Sequence, residues 1–112
     1  MNKYQRFIDA MLQDDIKTIS ELFQDKDISD GKNNALIVAA SHGKTESIKF
    51  LLAAGAHTEC CNEDTKQTPL IYAITSENRD AIKELLDANA NINAVDYHGL
   101  TPFMHAAIVG DV

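Results

Sequence analysis

The feature that most constrains the fold of this chain is a segment that recurs at a fixed spacing. The heptapeptide TPLIYAI begins at Thr68, and the similar TPFMHAA begins at Thr101, which is 33 residues later. A step of 34 residues back from Leu70 reaches Leu36 in NALIVAA, and a further step of 29 residues reaches Phe7 in RFIDAML. A period of this length is typical of stacked units, none of which can bury a core alone. The chain is therefore expected to fold as a row of similar units.

A second apolar tract keeps the same register. Its apolar positions recur in three units: Ile19, Leu22 and Phe23, then Ile48, Leu51 and Leu52, then Ile82, Leu85 and Leu86. Spacings of three and four residues place such side chains on one face of a helix. Each unit is therefore predicted to contain a second helix whose apolar face, including Leu86, is buried.

The starts and ends of the predicted helices also correspond between units. Thr68–Pro69 and Thr101–Pro102 each supply a capping hydroxyl followed by proline at the first helical position. Gly55 and Asn89 follow the second helices, and both residue types tolerate the left-handed conformation that ends a helix. An extended hairpin is expected after each pair of helices. The residues after the first helices correspond as well: Asp14, Gly43, Glu77 and Gly110.

These features resemble the ankyrin repeat family. The resemblance rests on the period, on TPLIYA and TPFMHAA, on the helix ends LLAAGA and LLDANA, and on NINAVDYHGLTP, and it covers essentially the whole chain. It implies an all-α repeat fold, an α-solenoid of stacked helix-turn-helix-hairpin units. Within one domain, a divergent N-terminal capping repeat is expected at 1–33, ankyrin repeats at 34–67 and 68–100, and a partial repeat at 101–112.

The chain departs from the family pattern in three ways. Family repeats usually place histidine where Ile37, Ile71 and Met104 stand here, so apolar packing is expected instead of the histidine's hydrogen bonds. Glu77 stands where glycine is expected, so the turn must either strain or shift its left-handed residue to Asn78. The hairpin HTECCNEDTKQ has one residue more than the next hairpin and lacks its turn glycine, which we interpret as sequence drift or as a tuned contact.

The last twelve residues read as the first helix of a further repeat, without the second helix that should follow. A terminal repeat normally needs a polar outer face. Three interpretations stay open: a fragment of a longer protein truncated at Val112, a lone last helix that suffices as a cap, or cover from another chain, including a homo-dimer. Four apolar residues would then have little to cover them: Phe103, Ala106, Ala107 and Val109.

Composition narrows the classes of partner and compartment. The net charge of −7 argues against a nucleic-acid partner and leaves room for a protein with a basic surface. No apolar run approaches the length of a membrane span, and the N-terminus has no secretory signal. The two cysteines, Cys60 and Cys61, are adjacent and have no distant partner, which favours a reducing, cytoplasmic location, with a secreted bacterial effector as the alternative.

No set of residues predicts catalysis, a metal site or a cofactor. His57, Cys60 and Cys61 lie within five residues, but adjacent cysteines do not have the spacing of paired zinc ligands. We interpret the two cysteines as buried or half-buried thiols, and a metal site is the less favoured alternative. His42 and His105 are interpreted as surface or packing residues, because no nucleophile has a matching spacing. The pair Asp14–Asp15 is explained by helix capping.

The resemblance implies a non-enzymatic module for protein–protein interaction. Ankyrin-like proteins bind partners on a concave face formed by hairpin tips and the exposed side of the first helices. Tyr97 is interpreted either as a binding hot spot, because an exposed tyrosine offers a large contact area, or as a lone surface aromatic residue packed on its neighbour. Two alternatives stay open: a recognition arm of a larger enzyme or effector, and a self-associating scaffold. The predicted contact residues, by position, are Ser41, His42, Asp64, Lys66, Gln67, Thr75, Ser76, Asp96, Tyr97, His98 and Leu100.

Overall fold

Pairs of short helices repeat along the chain. The structure is a computed structural model that describes residues 2–110, and within that range all regular secondary structure is helical. The predicted hairpins are therefore present as turns, without strands in the described part. The helices are α1 (Lys3–Leu12), α2 (Ile16–Leu22), α3 (Lys26–Asp30), α4 (Lys32–Ser41), α5 (Thr45–Ala53), α6 (Pro69–Thr75), α7 (Arg79–Asp87) and α8 (Pro102–Val109).

The helices form two layers that run along the stack. The first helices of the units, α1, α4, α6 and α8, contact one another in that order, and α2, α5 and α7 form the second layer in the same way. The described residues extend 39 Å along the longest axis and 25 and 24 Å along the others. This arrangement confirms the predicted all-α repeat solenoid.

Capping explains where the helices begin. Thr68 and Thr101 each accept a hydrogen bond from the backbone N–H three residues further on, at 3.4 and 3.2 Å, and proline follows at the first helical position. These bonds satisfy donors that a helix start leaves free. The predicted capping by Asp14–Asp15 is correct for Asp15, whose carboxylate accepts from the N–H of Thr18 at 3.3 Å.

Asp14 acts on a more distant helix than predicted. Its carboxylate accepts hydrogen bonds from the backbone N–H and the hydroxyl of Ser47, at 3.0 and 2.7 Å. Ser47 is buried in the first turn of α5, where backbone N–H groups have no partner within the helix. Asp14 therefore joins the turn between α1 and α2 to the next unit.

Corresponding turn residues adopt the left-handed conformation whatever their side chain. The alternative of a shift to Asn78 is wrong, since Asn78 has a φ of −94° and Glu77 itself carries the positive φ. The repeat geometry demands this conformation at one position, and neighbouring contacts hold even a non-glycine residue there. After the first helices the positive φ angles belong to Asp14 (50°), Gly43 (67°), Glu77 (59°) and Gly110 (79°). After the second helices they belong to Gly55 (96°) and Asn89 (66°).

The core lies between the two layers. Small side chains let the first helices approach one another closely, and aliphatic side chains of the second helices fill the space behind them. The residues that are completely buried there include Ala39, Ala40, Ala73, Ala81, Ile48, Leu51 and Leu85.

Leu86 is the exception to the predicted buried face. It is 42% exposed, whereas the neighbouring Leu85 is completely buried. Leu52 corresponds to Leu86 and is partly buried, because α7 packs against α5, whereas no described helix packs on the far side of α7. Phe103 and Ile108 on α8 are 71% and 68% exposed for the same reason. Of the four residues expected to lack cover, Phe103 and Ala107 are exposed, whereas Ala106 and Val109 are half-buried.

Helix α3 was not predicted. It lies where the later units have their loops, and Ile28 buries its side chain against α1 and α4. The ammonium of Lys3 on α1 holds it through ion pairs with Asp25 and Asp27, at 3.0 and 2.8 Å. Helix α4 then begins at Lys32, two residues before the start of the predicted repeat at 34.

Candidate functional site

The two tips at residues 62–67 and 96–100 have the same internal design. The side chain of Asn62 accepts from the N–H groups of Asp64 and Thr65, at 2.8 and 3.3 Å. The side chain of Asp96 accepts from His98 and Leu100 in the same way, at 2.9 and 3.0 Å. Such side-chain bonds to nearby backbone groups organise tight turns.

The extra residue of the first loop lies within its tip. Asn62 donates its N–H to the carbonyl of Gln67 at 3.0 Å, and Asp96 donates to Leu100 at 3.1 Å, which is one residue closer in sequence. Lys66, with a φ of 61°, takes the left-handed position that Gly99 occupies in the second tip, with a φ of 76°. The missing glycine is thus replaced without a change of backbone conformation.

Backbone and side-chain hydrogen bonds tie successive loops together. The N–H of Tyr97 donates to the carbonyl of Thr65 at 3.1 Å, so the two tips lie side by side. Nearer the helices, the carboxylate of Glu59 accepts from the N–H of Asn91 at 2.9 Å. The tips and the loops behind them therefore form one continuous edge of the stack, which hydrogen bonds between successive loops hold together.

The predicted contact residues fall into two groups in space. Four exposed residues at the tips form what we call the tip surface, in which Tyr97 is 67% exposed: Asp64, Lys66, Tyr97 and His98. The tips lead into the N-terminal ends of α6 and α8, whereas the other group lies at the C-terminal ends of α4 and α6. This second group comprises Ser41, His42, Thr75 and Ser76, of which Ser41 is half-buried. As contacts with a partner, both groups stay a prediction.

Side chains at the helix ends are bonded to their own helices. The hydroxyl of Ser41 donates to the carbonyl of Val38 at 2.9 Å, and that of Thr75 donates to Tyr72 at 3.1 Å. Their hydroxyl hydrogens are thus used within the protein. Gln67 and Leu100 are also only half-exposed, so the tip surface is the more accessible part.

Asp96 is an internal residue and not the surface contact that its position suggested. It is 3% exposed, and its carboxylate lies 2.8 Å from Nε2 of the buried His105. Burial would raise the pKa of Asp96, but hydrogen bonds from Leu100, His105, His98 and Gln67 outweigh it and lower that pKa to about 2. An ionised Asp96 therefore holds the second tip in shape.

His105 also corrects an expectation from the family pattern. Hydrogen bonds from histidine to the loops were expected to be absent, because Met104 stands at the usual position. His105, one residue later, faces inward instead and joins α8 to the preceding tip. Met104 is left exposed, while Ile71 is fully buried and supplies the expected apolar packing.

Sequence reasoning missed two adjoining grooves at the N-terminal end of the first-helix layer. The first is apolar, with a volume of about 220 Å³, and lies between α1, α3 and α4. It was missed because α3 was not predicted, although Tyr4 and Ile8 are spaced four residues apart beside the buried Phe7 and Met11. The second is polar and shares Asn34 and Val38 with the first. The second groove is lined by Asn34, Ile37, Val38, Cys61, Asn62, Glu63 and Asp64.

A comparison with protein families agrees with the stacked geometry. The family model described as Ankyrin repeats (3 copies) matches residues 7–96 and, in a second alignment, residues 36–112. The chain belongs to the ankyrin repeat family. The resemblance inferred from the sequence is therefore confirmed. The ankyrin features of the chain include Thr68–Pro69, Thr101–Pro102 and the aligned left-handed turns.

Relatives of this ankyrin protein come from varied sources. It is 36% identical to human SH3 and multiple ankyrin repeat domains protein 2 over 80 residues, which are 71% of this chain and 4% of that protein. It is 37% identical to L-asparaginase of Dirofilaria immitis over 71 residues, 63% of this chain and 12% of that protein. It is 30% identical to the putative ankyrin repeat protein FPV244 of fowlpox virus over 99 residues, 84% of this chain and 15% of that protein. The chain thus spans a small part of each relative.

Three further properties bear on the chemistry of this ankyrin protein. Across residues 2–110, no helix is long and apolar enough to cross a membrane. Cys60 and Cys61 are free and half-buried, and Cys60 donates its thiol hydrogen to the carbonyl of Asn33 at 3.4 Å. Burial raises the pKa of Cys60 to about 11, so its thiol is protonated at neutral pH. No three metal-ligating side chains of the described residues lie close enough to hold an ion.

Proposed function

We propose that this ankyrin protein binds a partner protein through its tip surface and the exposed ends of α4 and α6. Ankyrin repeats are generally modules for protein–protein interaction, and the family is typically non-enzymatic. The observation that carries the proposal is Tyr97, whose side chain is 67% exposed on a backbone fixed by Thr65 and Asp96. An exposed aromatic residue on an immobile backbone adds contact area at a low cost in conformational entropy.

The charge of the chain indicates the class of partner. A net charge of −7 favours a partner with a basic surface, through faster association and fewer wrong partners, and disfavours nucleic acid. We place the module inside the cell, because Cys60 and Cys61 are unpaired and a reducing compartment keeps thiols in that state.

A larger assembly is the first alternative. The relatives are much longer than this chain. One of them, by its name L-asparaginase, is an enzyme, and the stretch matched by this chain makes up 12% of its length. As the recognition arm of a longer enzyme or effector, the module would keep the same binding surface and would supply no catalytic residue.

Self-association is the second alternative, and the exposed apolar face of α8 favours it. Phe103, Met104 and Ile108 are all exposed there. Sedimentation of the wild type and of the double variant Phe103→Ser, Ile108→Ser would decide it. A concentration-dependent dimer that the variant abolishes supports this alternative, whereas a monomeric wild type rejects it.

The test of the main proposal is affinity capture with matched variants. Three baits are exposed to a lysate of the source organism. They are the wild-type chain, the tip variant Tyr97→Ala, His98→Ala, and the control variant Lys83→Ala, Asp87→Ala on the exposed back of α7. We expect a protein that the wild type and the control retain and that the tip variant loses. Equal capture by all three baits would reject the tip surface as the interface.

A further inference from the structure

We infer that the two grooves near the N-terminus form a second contact site, which fits a partner segment that carries a large apolar side chain beside a lysine or arginine. The inference rests on the proposed function and names the chemistry of the partner. It adds a site to the predicted binding face, since none of the predicted contact residues except Asp64 lines either groove.

The apolar groove has the form of a socket for one side chain. Its floor consists of buried core residues, among them Phe7 and Met11, and its rim carries Tyr4 and Ile8, which are 50% and 36% exposed. A volume of about 220 Å³ is ample for a large side chain, because an apolar cavity of roughly 150 Å³ holds a benzene molecule. Filling the groove would remove the exposed apolar surface of both rim residues from water.

The polar groove supplies the charge. Glu63 and Asp64 are exposed, and neither forms an ion pair with a lysine or arginine of the described chain. Ile37 and Val38 also line this groove. Long basic side chains pack their methylene stems on apolar surface while the charged end reaches a carboxylate. The groove therefore suits lysine or arginine better than a small polar residue.

The two grooves adjoin, so that one short segment can fill both. Asn34 and Val38 line each of them. Asp27 lines the far side of the apolar groove and shares the single ammonium of Lys3 with Asp25, which leaves that side negative as well. Lys66 is exposed on the same tip as Asp64 and is the cation nearest in sequence, but it does not line the groove. An acidic segment would be repelled from both sides.

A second copy of this chain does not have the required chemistry. In the described chain, helix α8, with the sequence PFMHAAIV, exposes three large apolar side chains: Phe103, Met104 and Ile108. That helix contains no lysine or arginine, and its histidine, His105, is buried against Asp96. Two copies would also each bring a net charge of −7. A different, basic protein is the better occupant.

The experiment is a selection of phage-displayed random 12-residue peptides on the full chain, followed by fluorescence polarisation with the enriched peptides. We expect enriched peptides to place a large apolar residue beside lysine or arginine. Two double variants should each weaken binding about tenfold or more. The first is Tyr4→Ser, Ile8→Ser, and the second is Glu63→Gln, Asp64→Asn. The second variant should also reduce the dependence of binding on salt.

Matched controls separate the grooves from general effects. Leu86→Ser, Ile92→Ser removes exposed apolar side chains at the other end of the stack, and Asp80→Asn, Asp87→Asn removes two exposed carboxylates of α7. Neither should change binding. Asn34→Trp places a bulky ring at the exposed residue that both grooves share, without touching the core, and should abolish binding. It keeps the test decisive if the Tyr4, Ile8 variant does not fold, as judged by circular dichroism.

Four outcomes would overturn the inference. Enriched peptides without the expected pair of residues, or no enrichment at all, would reject the proposed chemistry. Binding lost only in the Tyr97→Ala, His98→Ala variant would keep the proposed function and reject the groove site. Wild-type dimers that the Tyr4→Ser, Ile8→Ser variant abolishes would assign the apolar groove to a second copy.

Discussion

At the residue scale, the turns after the first helices show one backbone conformation stabilised in different ways. Asp14 and Glu77 both have a positive φ, at 50° and 59°. At Asp14, two hydrogen bonds that its carboxylate accepts from Ser47 on α5 offset the steric strain of the positive φ. Glu77 is exposed, and its side chain forms no hydrogen bond or ion pair within the described chain. The strain is therefore offset by hydrogen bonds of the residue's own side chain at Asp14, whereas at Glu77 only the surrounding repeat holds the conformation.

Glycine substitutions at these two turns should have opposite effects. Glu77→Gly should raise the free energy of unfolding by about 0.5–1 kcal/mol, since glycine adopts positive φ without a steric penalty. Asp14→Gly should lower it by about 1–3 kcal/mol, since the buried donors of Ser47 lose a charged acceptor. Urea denaturation of both variants measures the two changes. A loss of stability in Glu77→Gly would show that its side chain makes a stabilising contact.

The buried Asp96 should make the free energy of unfolding depend on pH in the acid range. The folded pKa of Asp96, about 2, lies below its ordinary value of 3.8, so the stability it contributes is present above about pH 4 and is lost as the pH falls towards 2. The difference in free energy of unfolding between the wild type and Asp96→Asn should therefore shrink across that range. Urea denaturation at pH 2, 3, 4 and 6 checks this. A difference that stays constant with pH would mean that Asp96 is not held ionised in the fold.

At the element scale, the second helices owe their burial to the neighbouring unit. The corresponding Leu52 and Leu86 differ in exposure because α7 covers α5 and no described helix covers α7. Helix α3 shows the same dependence, since its five residues are held by Lys3 of α1 and by the burial of Ile28. So short a helix is not stable on its own.

Two adjacent leucines of α7 provide a matched test of that packing. Leu85→Ala should lower the free energy of unfolding by about 2–5 kcal/mol, because it opens a cavity between the layers. Leu86→Ala removes the same atoms from a side chain that is 42% exposed and should cost less than about 1.5 kcal/mol. Denaturant titration compares the two variants directly. Equal losses would contradict the described orientation of α7.

At the scale of the whole molecule, each unit contacts only its neighbours, so stability varies along the stack. Units in the middle are covered on both sides, as α4 is by α1 and α6. Among the described helices, α8 packs mainly on α6, and its apolar residues Phe103 and Ile108 remain exposed. The proposed binding surfaces follow the same axis, with the grooves towards one end and the tip surface further along.

Hydrogen exchange should reveal this gradient. Amides of α8 are expected to exchange faster than those of α4 and α5, because local opening of α8 exposes little additional apolar surface. Mass spectrometry of exchanged peptides measures the rates. Uniform protection from α4 to α8 would indicate that the described chain opens only as one cooperative unit.

The sequence by itself determined the family, the register of the units and the local structure of their turns. Thr68–Pro69 and Thr101–Pro102 predicted helix starts correctly, because capping depends on residues within three positions of each other. The aligned turn positions predicted left-handed residues for the same local reason, although the alternative at Asn78 was wrong. The repeat register also predicted exposed positions at the tips, and Asp64, Lys66, Tyr97 and His98 are exposed there, while their contact with a partner stays a prediction.

Only the tertiary structure decided which side chains are covered and where grooves open. Asp96 lies inside because α8 brings His105 to it, and Leu86 lies outside because nothing in the described chain packs on it. The apolar groove depends on α3, which Lys3 holds from more than twenty residues away. These features arise where separate units meet. The sequence pattern within one unit does not specify the surface that the neighbouring unit packs against it.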